Sequence, residues 1–432
     1  MKKIGILLII LILPVMLFAR GGAQPDAGAK YLRFAWWGNP TRDERTIKVA
    51  QLFMQKNPGV TVETETTGFA SYWDQLAAQA AAGNLPDVMQ QDYAYIDQYN
   101  SRNMLVDLAP LGQRGQINLS NWSDSALAGG RLGGKLIGLS LGTNAVGYVV
   151  DRAVLQKAGV TIDDTKWTWA DFEKAAIQIY QTTGVQTMPT ADHYQIFENV
   201  VRFAGVGYYT VDGKAMGYTN NPTAQAAIKE VLDLQMRLKA AGALYDPEDA
   251  FIVGRAMPEV PLSQGKTWNA CYWSNQLVGM MAAANRPLDF YVLPAPTVTG
   301  GMKAPFGTYL KPSQLISILT SSKSQDLAAK FVDFFVNDVD ANRILLAERG
   351  VPLPTHILQD LSAQVDPNMI YTFEFITKAM KVSSAIDPPD PARAGEARDS
   401  MLPIILNCLL GRITTEACVA QMISAPNAIL SR

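Results

Sequence analysis

Histidine is almost absent from this chain. His193 and His356 are the two among 432 residues, and neither belongs to an HExxH motif or a His-rich tract of the kind that zinc hydrolases use. Cysteine is nearly as rare, at Cys271, Cys408 and Cys418 without a CxxC pair, so a structural zinc cluster is not expected either. An excess of charge of one sign is also missing. The 37 Lys and Arg against 39 Asp and Glu leave a net charge of -2, which gives no electrostatic ground for holding nucleic acid or an anionic membrane surface. There is no phosphate-cradling P-loop and no internal repeat, and beyond the N-terminus no apolar run approaches the ~20 residues that span a bilayer. What the chain does have is ordinary globular material, 48% hydrophobic with 8 Trp and 16 Tyr, and enough of it for two or three domains of about 150 residues each.

The first residues read as an export address. Lys2 and Lys3 precede an apolar run from Ile4 to Phe18 that is broken by Pro14, and the small residues Gly21, Gly22 and Ala23 follow. Residues 1–23 are therefore expected to be a secretory signal peptide, with retention as an anchor the lesser alternative. No cysteine stands near the cleavage zone to carry a lipid. The mature chain is expected to be soluble and either periplasmic or extracellular, where disulfides persist. Cys408 and Cys418 flank a turn at Gly411 and Thr414-Thr415 and could bridge a helical hairpin; buried free thiols are the reading adopted, with Cys271 a third.

From Tyr31 onward strand-like and helix-like segments alternate, which points to an α/β architecture. Tyr31 to Trp37 reads as a strand stopped by Gly38-Asn39-Pro40. Thr41 with Glu44 gives a capping-box signal for the helix that follows, and Asn57 to Gly59 ends it. A strand from Val60, a helix over about 71–82 and a short strand from Asp87 complete a β-α-β-α-β unit. Farther on, Gly147 to Asp151 reads as a strand and Thr168 to Asp171 as a second capping box. Asn221-Pro222 opens a helix, and Ala328, Phe331, Val332 and Phe335 form one apolar helix face. The Pro- and Gly-rich stretch from Leu293 to Gly307 reads as a crossing between lobes.

Several blocks, taken in order, resemble a known family. A strand ending in WWGN precedes QLFMQKNPGVTVE (51–63), and GNLPDVMQQDYAYIDQYNSRNMLVDLAPL (83–111) carries a Pro-Asp, a strand, an Asp, a helix and an apolar-Asp-Leu ending. VGYVVDRAVLQKAGV with KWTWADFEKAA (146–176), then SQGKTWNACYWSNQL, SSKSQDLAAKFVDFFVND and ERGVPLPTH, complete the series. Together they resemble the extracellular solute-binding proteins of ABC importers, in particular the family 1 sugar-binding group that includes the maltose-binding protein. The resemblance implies an α/β, two-lobed, periplasmic-binding-protein-like (type II) fold with a hinged cleft between the lobes. Lobe one would comprise 30–141 and 296–345, and lobe two 142–295 and 346–432, with hinges near Thr143-Asn144, near Pro294 to Pro296 and after the Phe331 helix. It further implies a non-catalytic protein that captures a mono- or oligosaccharide and passes it to permease and ATPase subunits; a monomer is the default expectation, because the closing cleft must stay accessible to those partners. No cofactor and no metal are expected.

A sugar offers hydroxyls at its edge and C–H faces, so a site for it needs acids, amides and aromatic planes. Trp37 and Asn39 end the first strand, where the family places polar contacts; Trp36 and Trp37 alternate, so one of them reads as core. Gln91 and Asp92 end the strand begun at Asp87, and the resemblance makes Asp92 a ligand contact. Thr143 and Asn144 lie at the first crossing, where they either face the cleft or satisfy hinge backbone. Asp192 and Tyr194 match a region carrying a carboxylate and an aromatic in maltose-type binders, although Asp192 also reads as a helix cap. Trp273 fits the stacking aromatic that follows Gly265-Lys266 better than Trp268 does, and Tyr309 could reach the cleft from lobe one. Arg398 stands where several sugar-binding relatives have an aromatic platform, which keeps open an anionic or other solute such as a polyol phosphate, a uronate or a polyamine. A glycan hydrolase using Asp92 and Asp192 as a carboxylate pair is the remaining alternative.

Overall fold

The computed structural model describes residues 30–38, 40–189, 194–252, 255–391 and 393–432. The expected signal peptide, 1–23, lies outside them. The strands in chain order are β1 (Lys30–Trp37), β2 (Val60–Thr67), β3 (Val88–Gln91), β4 (Arg131–Leu132), β5 (Lys135–Leu136), β6 (Leu139–Asn144), β7 (Val146–Asp151), β8 (Asn269–Trp273), β9 (Leu288–Tyr291), β10 (Thr308–Tyr309), β11 (Lys311–Ile318) and β12 (Ser383–Ser384). Two sheets carry the two lobes. The first has the order β2-β1-β3-β11-β6, in which β1 runs parallel to β2 and β3 while β11 is antiparallel to both its neighbours. The second is β8-β7-β9, antiparallel throughout.

Strand β1 shows why the first sheet sits where it does. Its side chains alternate between two covered faces. Phe34 and Trp36 pack toward Phe331 and Phe335 of the helix Gln325–Asn337, with Phe34 ring centroids 5.2 and 5.6 Å from theirs. Ala35 and Trp37 pack toward Tyr72 and Leu76 of the helix Phe69–Ala81. In the second sheet, Tyr148 and Val150 enter a core shared with the helices Trp169–Thr183, Tyr194–Arg202 and Pro222–Ala240, whereas Val149 faces the other way. That opposite face belongs to the same apolar cluster as the first sheet. Val149, Ala270 and Phe290 thus share one continuous core with Phe34, Val88 and Ile316.

The helix starts follow local chemistry. Thr168 and Asp171 form the expected capping box, the Asp171 carboxylate accepting from the Thr168 N–H at 3.0 Å. Thr168→Ala should cost about 1 kcal/mol in a urea melt, typical of a lost N-cap; no change would mean that the cap is redundant. Asn221 caps its helix through the Ala224 N–H, as expected. The first helix differs from expectation. It begins at Pro40, so Thr41 lies within it, and Glu44 pairs with Lys48 instead of reaching back. Proline preset for the helical φ takes the first position. The three cysteines are buried free thiols, Cys408 and Cys418 lying on the adjoining helices Ala394–Leu409 and Thr415–Leu430. No helix of the described residues is long and apolar enough to cross a membrane.

The chain crosses between the sheets at three places. Ala145 alone separates β6 from β7. The second crossing comes later than Pro294 to Pro296, because Thr297 and Val298 donate backbone N–H groups to Glu230 at 2.9 and 3.2 Å and Gly307 accepts from Arg202. These bonds hold residues 296–307 to the second sheet's helices until β10 and β11 begin. The third comes before the helix Pro367–Lys381, whose Lys378 already donates to Asp164 at 2.8 Å and to the Phe290 carbonyl of β9 at 3.3 Å; β12 follows that helix and pairs in parallel with β10. Beyond the Phe331 helix, the helices Val339–Leu345 and Thr355–Ser362 still pack into the first sheet's core.

Candidate ligand-binding cleft

A cleft of about 920 Å³ opens between the sheets. One wall is made by Asp92 to Ala94 just past the carboxyl end of β3, by Asn144 at the end of β6 and by Lys311 to Gln314 at the start of β11. Opposite stand Tyr194 and Glu198 of the Tyr194–Arg202 helix, the 208–213 loop and Trp273 at the end of β8. A strap from Ile386 to Pro391 closes one side. Carboxyl ends of parallel strands are where α/β sheets leave loops free to receive ligands.

Five of the expected residues come together here: Asp92, Asn144, Tyr194, Trp273 and Tyr309. Asp92 accepts the Ala94 N–H through Oδ1 at 2.8 Å, and Asn144 Oδ1 accepts from Ser274 Oγ at 3.3 Å. The Trp273 and Tyr309 rings meet nearly edge-on, 6.3 Å apart at 73°. The Lys311 ammonium lies 5.1 Å from the Trp273 ring centroid, and the Arg202 guanidinium carbon lies 4.9 Å from that of Tyr309. Burial pushes the Tyr194 phenol up to about 12, against the neighbouring Arg398 charge. Trp268, the weaker candidate, is fully buried and donates its indole N–H to Thr187 at 2.9 Å.

Four expected contacts are placed elsewhere. Trp37 packs in an aromatic cluster, its ring 5.3 Å from Phe69 and from Tyr72, so both tryptophans of β1 are core. Gln91 is fully buried inside the sheet opposite Leu315, one residue short of the strand end that exposes Asp92. Thr143 is fully buried and satisfies hinge backbone, its hydroxyl donating to the Lys311 carbonyl at 3.2 Å. Arg398 stands behind the wall rather than in the cleft: its guanidinium carbon lies 4.5 Å from the Tyr194 ring centroid, and it pairs with Asp390. Asn39 and Asp192 lie outside the described residues.

Sequence reasoning missed the buried polar network under the cleft. Glu198 is 9% exposed and accepts the Tyr309 hydroxyl at 3.0 Å. Burial pushes its carboxyl up to about 7; Arg202 opposes the rise and Asp387 adds to it. One turn on, Arg202 donates to the Gly307 carbonyl at 2.9 Å, to Ser384 Oγ at 2.8 Å and to the Ala385 carbonyl, and forms an ion pair with Asp387. Tyr93 on the opposite wall donates its hydroxyl to the Asp387 carbonyl at 2.6 Å. A signal was present in the sequence: Glu198 and Arg202 lie four apart in a helix whose residues from Gln195 to Arg202 are all buried. That spacing reads by default as a surface pair.

Gly138-Leu139-Ser140-Leu141-Gly142 spells the GxSxG pattern of hydrolase nucleophiles. The context is wrong for one. Ser140 lies within β6, buried, with its hydroxyl donating to the Gly142 carbonyl at 2.6 Å, whereas a nucleophile elbow exposes its serine on a strand-to-helix turn. Among the described residues no three His, Cys, Asp or Glu side chains gather as a metal site.

Comparison with known proteins gives a consistent result. The profile of a family described as bacterial extracellular solute-binding proteins matches residues 48–369. An arabinooligosaccharide-binding protein of Bacillus subtilis is 26% identical over 266 residues, 58% of this chain; the match spans 59% of the relative's length, under two thirds of it. Among solved structures, a family 1 extracellular solute-binding protein from Alicyclobacillus acidocaldarius is similar with a TM-score of 0.84 and 27% identity, over 94% of this chain and 99% of that one. A periplasmic oligogalacturonide binding protein from Yersinia enterocolitica shares the fold, with a TM-score of 0.74 and 21% identity over 93% of this chain and 99% of its own.

Proposed function

The chain belongs to the bacterial extracellular solute-binding proteins, and from that premise we propose that it captures an oligosaccharide in the inter-lobe cleft and delivers it to an ABC importer. The observation that carries this reading is one cleft in which Trp273, Tyr194 and Tyr309 offer ring faces and edges beside Asp92, Asn144 and Gln314. Aromatic planes cover the C–H faces of a sugar, while fixed amide and acid groups read its hydroxyls. The volume of about 920 Å³ lies near the top of the ~300–1,000 Å³ range of small-molecule sites and leaves room for more than one ring. The arabinooligosaccharide binding named for the Bacillus subtilis relative supports the same class of ligand. Capture takes place outside the cytoplasmic membrane, in the periplasm or at the cell surface, without turnover of the glycan. Closing the lobes on the ligand is what a membrane permease and its ATPase would recognise.

A thermal-shift and calorimetric screen of the mature chain against arabino-, galacto- and malto-oligosaccharides tests this, because a ligand of the folded state alone raises its melting temperature. One glycan class should shift the melt, and Asp92→Ala should weaken its binding by about tenfold or more, since a hydrogen bond to a charged group contributes about 1.5–3 kcal/mol and each ~1.4 kcal/mol is tenfold. Absence of any shift, with cleavage of a glycan by the purified protein, would overturn the reading.

A further inference from the structure

Resting on the reading of this cleft as a carbohydrate site, we infer that it selects neutral glycans and excludes uronic acids and phosphorylated sugars. Five carboxylates border the cleft: Asp92, Glu198, Asp212, Asp387 and Asp390. Two are already answered by cations behind the wall, Asp387 by Arg202 and Asp390 by Arg398. Asp92, Glu198 and Asp212 form no ion pair among the described residues, and Lys311 is the single cation lining the cleft among them. The balance facing a ligand is therefore negative.

Hydrogen bonding points the same way. The buried Gln314 Oε1 has no partner among the described residues, and Glu198, a buried carboxylate, accepts the Tyr309 hydroxyl. Both have unused acceptor capacity at the edge of a cavity, a condition that a hydroxyl hydrogen relieves. A ligand carboxylate or phosphate brings oxygens without hydrogens and adds like charge in a poorly solvated place, which is unfavourable unless a cation is free to meet it. Arg398 is not free. Its guanidinium is held by Asp390 and Tyr209 and sits over the Tyr194 ring, its central carbon 4.5 Å from the centroid.

The test is calorimetry at pH 8, where Glu198 is ionised, comparing neutral arabino-, galacto- and malto-oligosaccharides with oligogalacturonides of matched length. The full mature chain should bind its best neutral ligand at least tenfold more tightly than any uronate. In Glu198→Gln that ratio should shrink at least threefold, because a repulsive charge is gone while the acceptor remains. A uronate that binds as tightly as the best neutral glycan, and is lost in Lys311→Met, overturns the inference and shows the cleft reading an anion through Lys311; the carbohydrate reading would survive. Binding of neither class overturns both. Should the glutamine variant fail to fold, the wild-type ratio decides alone.

Discussion

Arg202→Met should lower the unfolding free energy by about 3–5 kcal/mol, the cost of breaking a buried ion pair by removing one partner. The guanidinium side chain is 4% exposed and its partners come from two separate segments: the Gly307 carbonyl on one, and Ser384, the Ala385 carbonyl and the Asp387 carboxylate on the other. Methionine keeps much of the volume but leaves these acceptors without their donor. Asp387 is 27% exposed, so water recovers part of its loss and the lower end of the range is expected. Urea unfolding at pH 7 with an unchanged m-value is the measurement. A loss below about 1 kcal/mol, the value of an exposed pair, would mean that the network contributes little. Because Arg202 ties the second crossing and the strap after β12 to the helix that carries Glu198, the same variant should also weaken ligand binding.

The second large effect belongs to Glu198 and depends on pH. Its carboxyl moves from an ordinary 4.5 to about 7 on folding, chiefly through burial, with Arg202 opposing and Asp387 and Asp390 reinforcing the rise. The folded state therefore holds a proton that the unfolded state has released between those two values, and stability falls as pH rises through that window. At about 1.4 kcal/mol per pKa unit, the penalty reaches roughly 3 kcal/mol above pH 8 and vanishes below pH 4.5. Glu198→Gln keeps an acceptor for the Tyr309 hydroxyl and has nothing to ionise. It should match the wild type at pH 4.5 and exceed it by about 3 kcal/mol at pH 8. Parallel stability curves for the two proteins across this range would refute the assignment.

The β-α-β-α-β start of the chain was readable because apolar periods and Pro or Gly stops agree there. The cleft was only half readable, and the reason is geometric. Side chains in a strand alternate, so a one-residue change of phase exchanges the two faces. Where both faces are covered, as around β1 and β3, hydrophobicity no longer tells the phases apart. Trp37 and Gln91 were lost in that way, while Asp92, lying past the strand end, was not. Trp273 was reached through the family resemblance, which sets a stacking aromatic after Gly265-Lys266, and Tyr309 through its place after Gly307-Thr308; both line the cleft. Arg202 and Asp387 are separated by 185 residues, and no local pattern announces a pair at that distance. The lobe boundaries depend on the same kind of information, since β12 reaches β10 from far along the chain.

The apolar core that runs beneath both sheets has a consequence for how such a protein can change over evolutionary time. Phe290 and Phe375, 4.2 Å apart at their ring centroids, belong to the same cluster as Phe34 and Phe331. On one face each sheet shares its interior with the other lobe, while the second sheet's other face has a core of its own. A lobe transplanted from a relative would present foreign side chains to that common seam, where an extra or missing methylene is felt. New ligand preferences are therefore more readily reached by exchanging loops at the mouth than by shuffling halves, and the two halves are bound to drift as one inheritance.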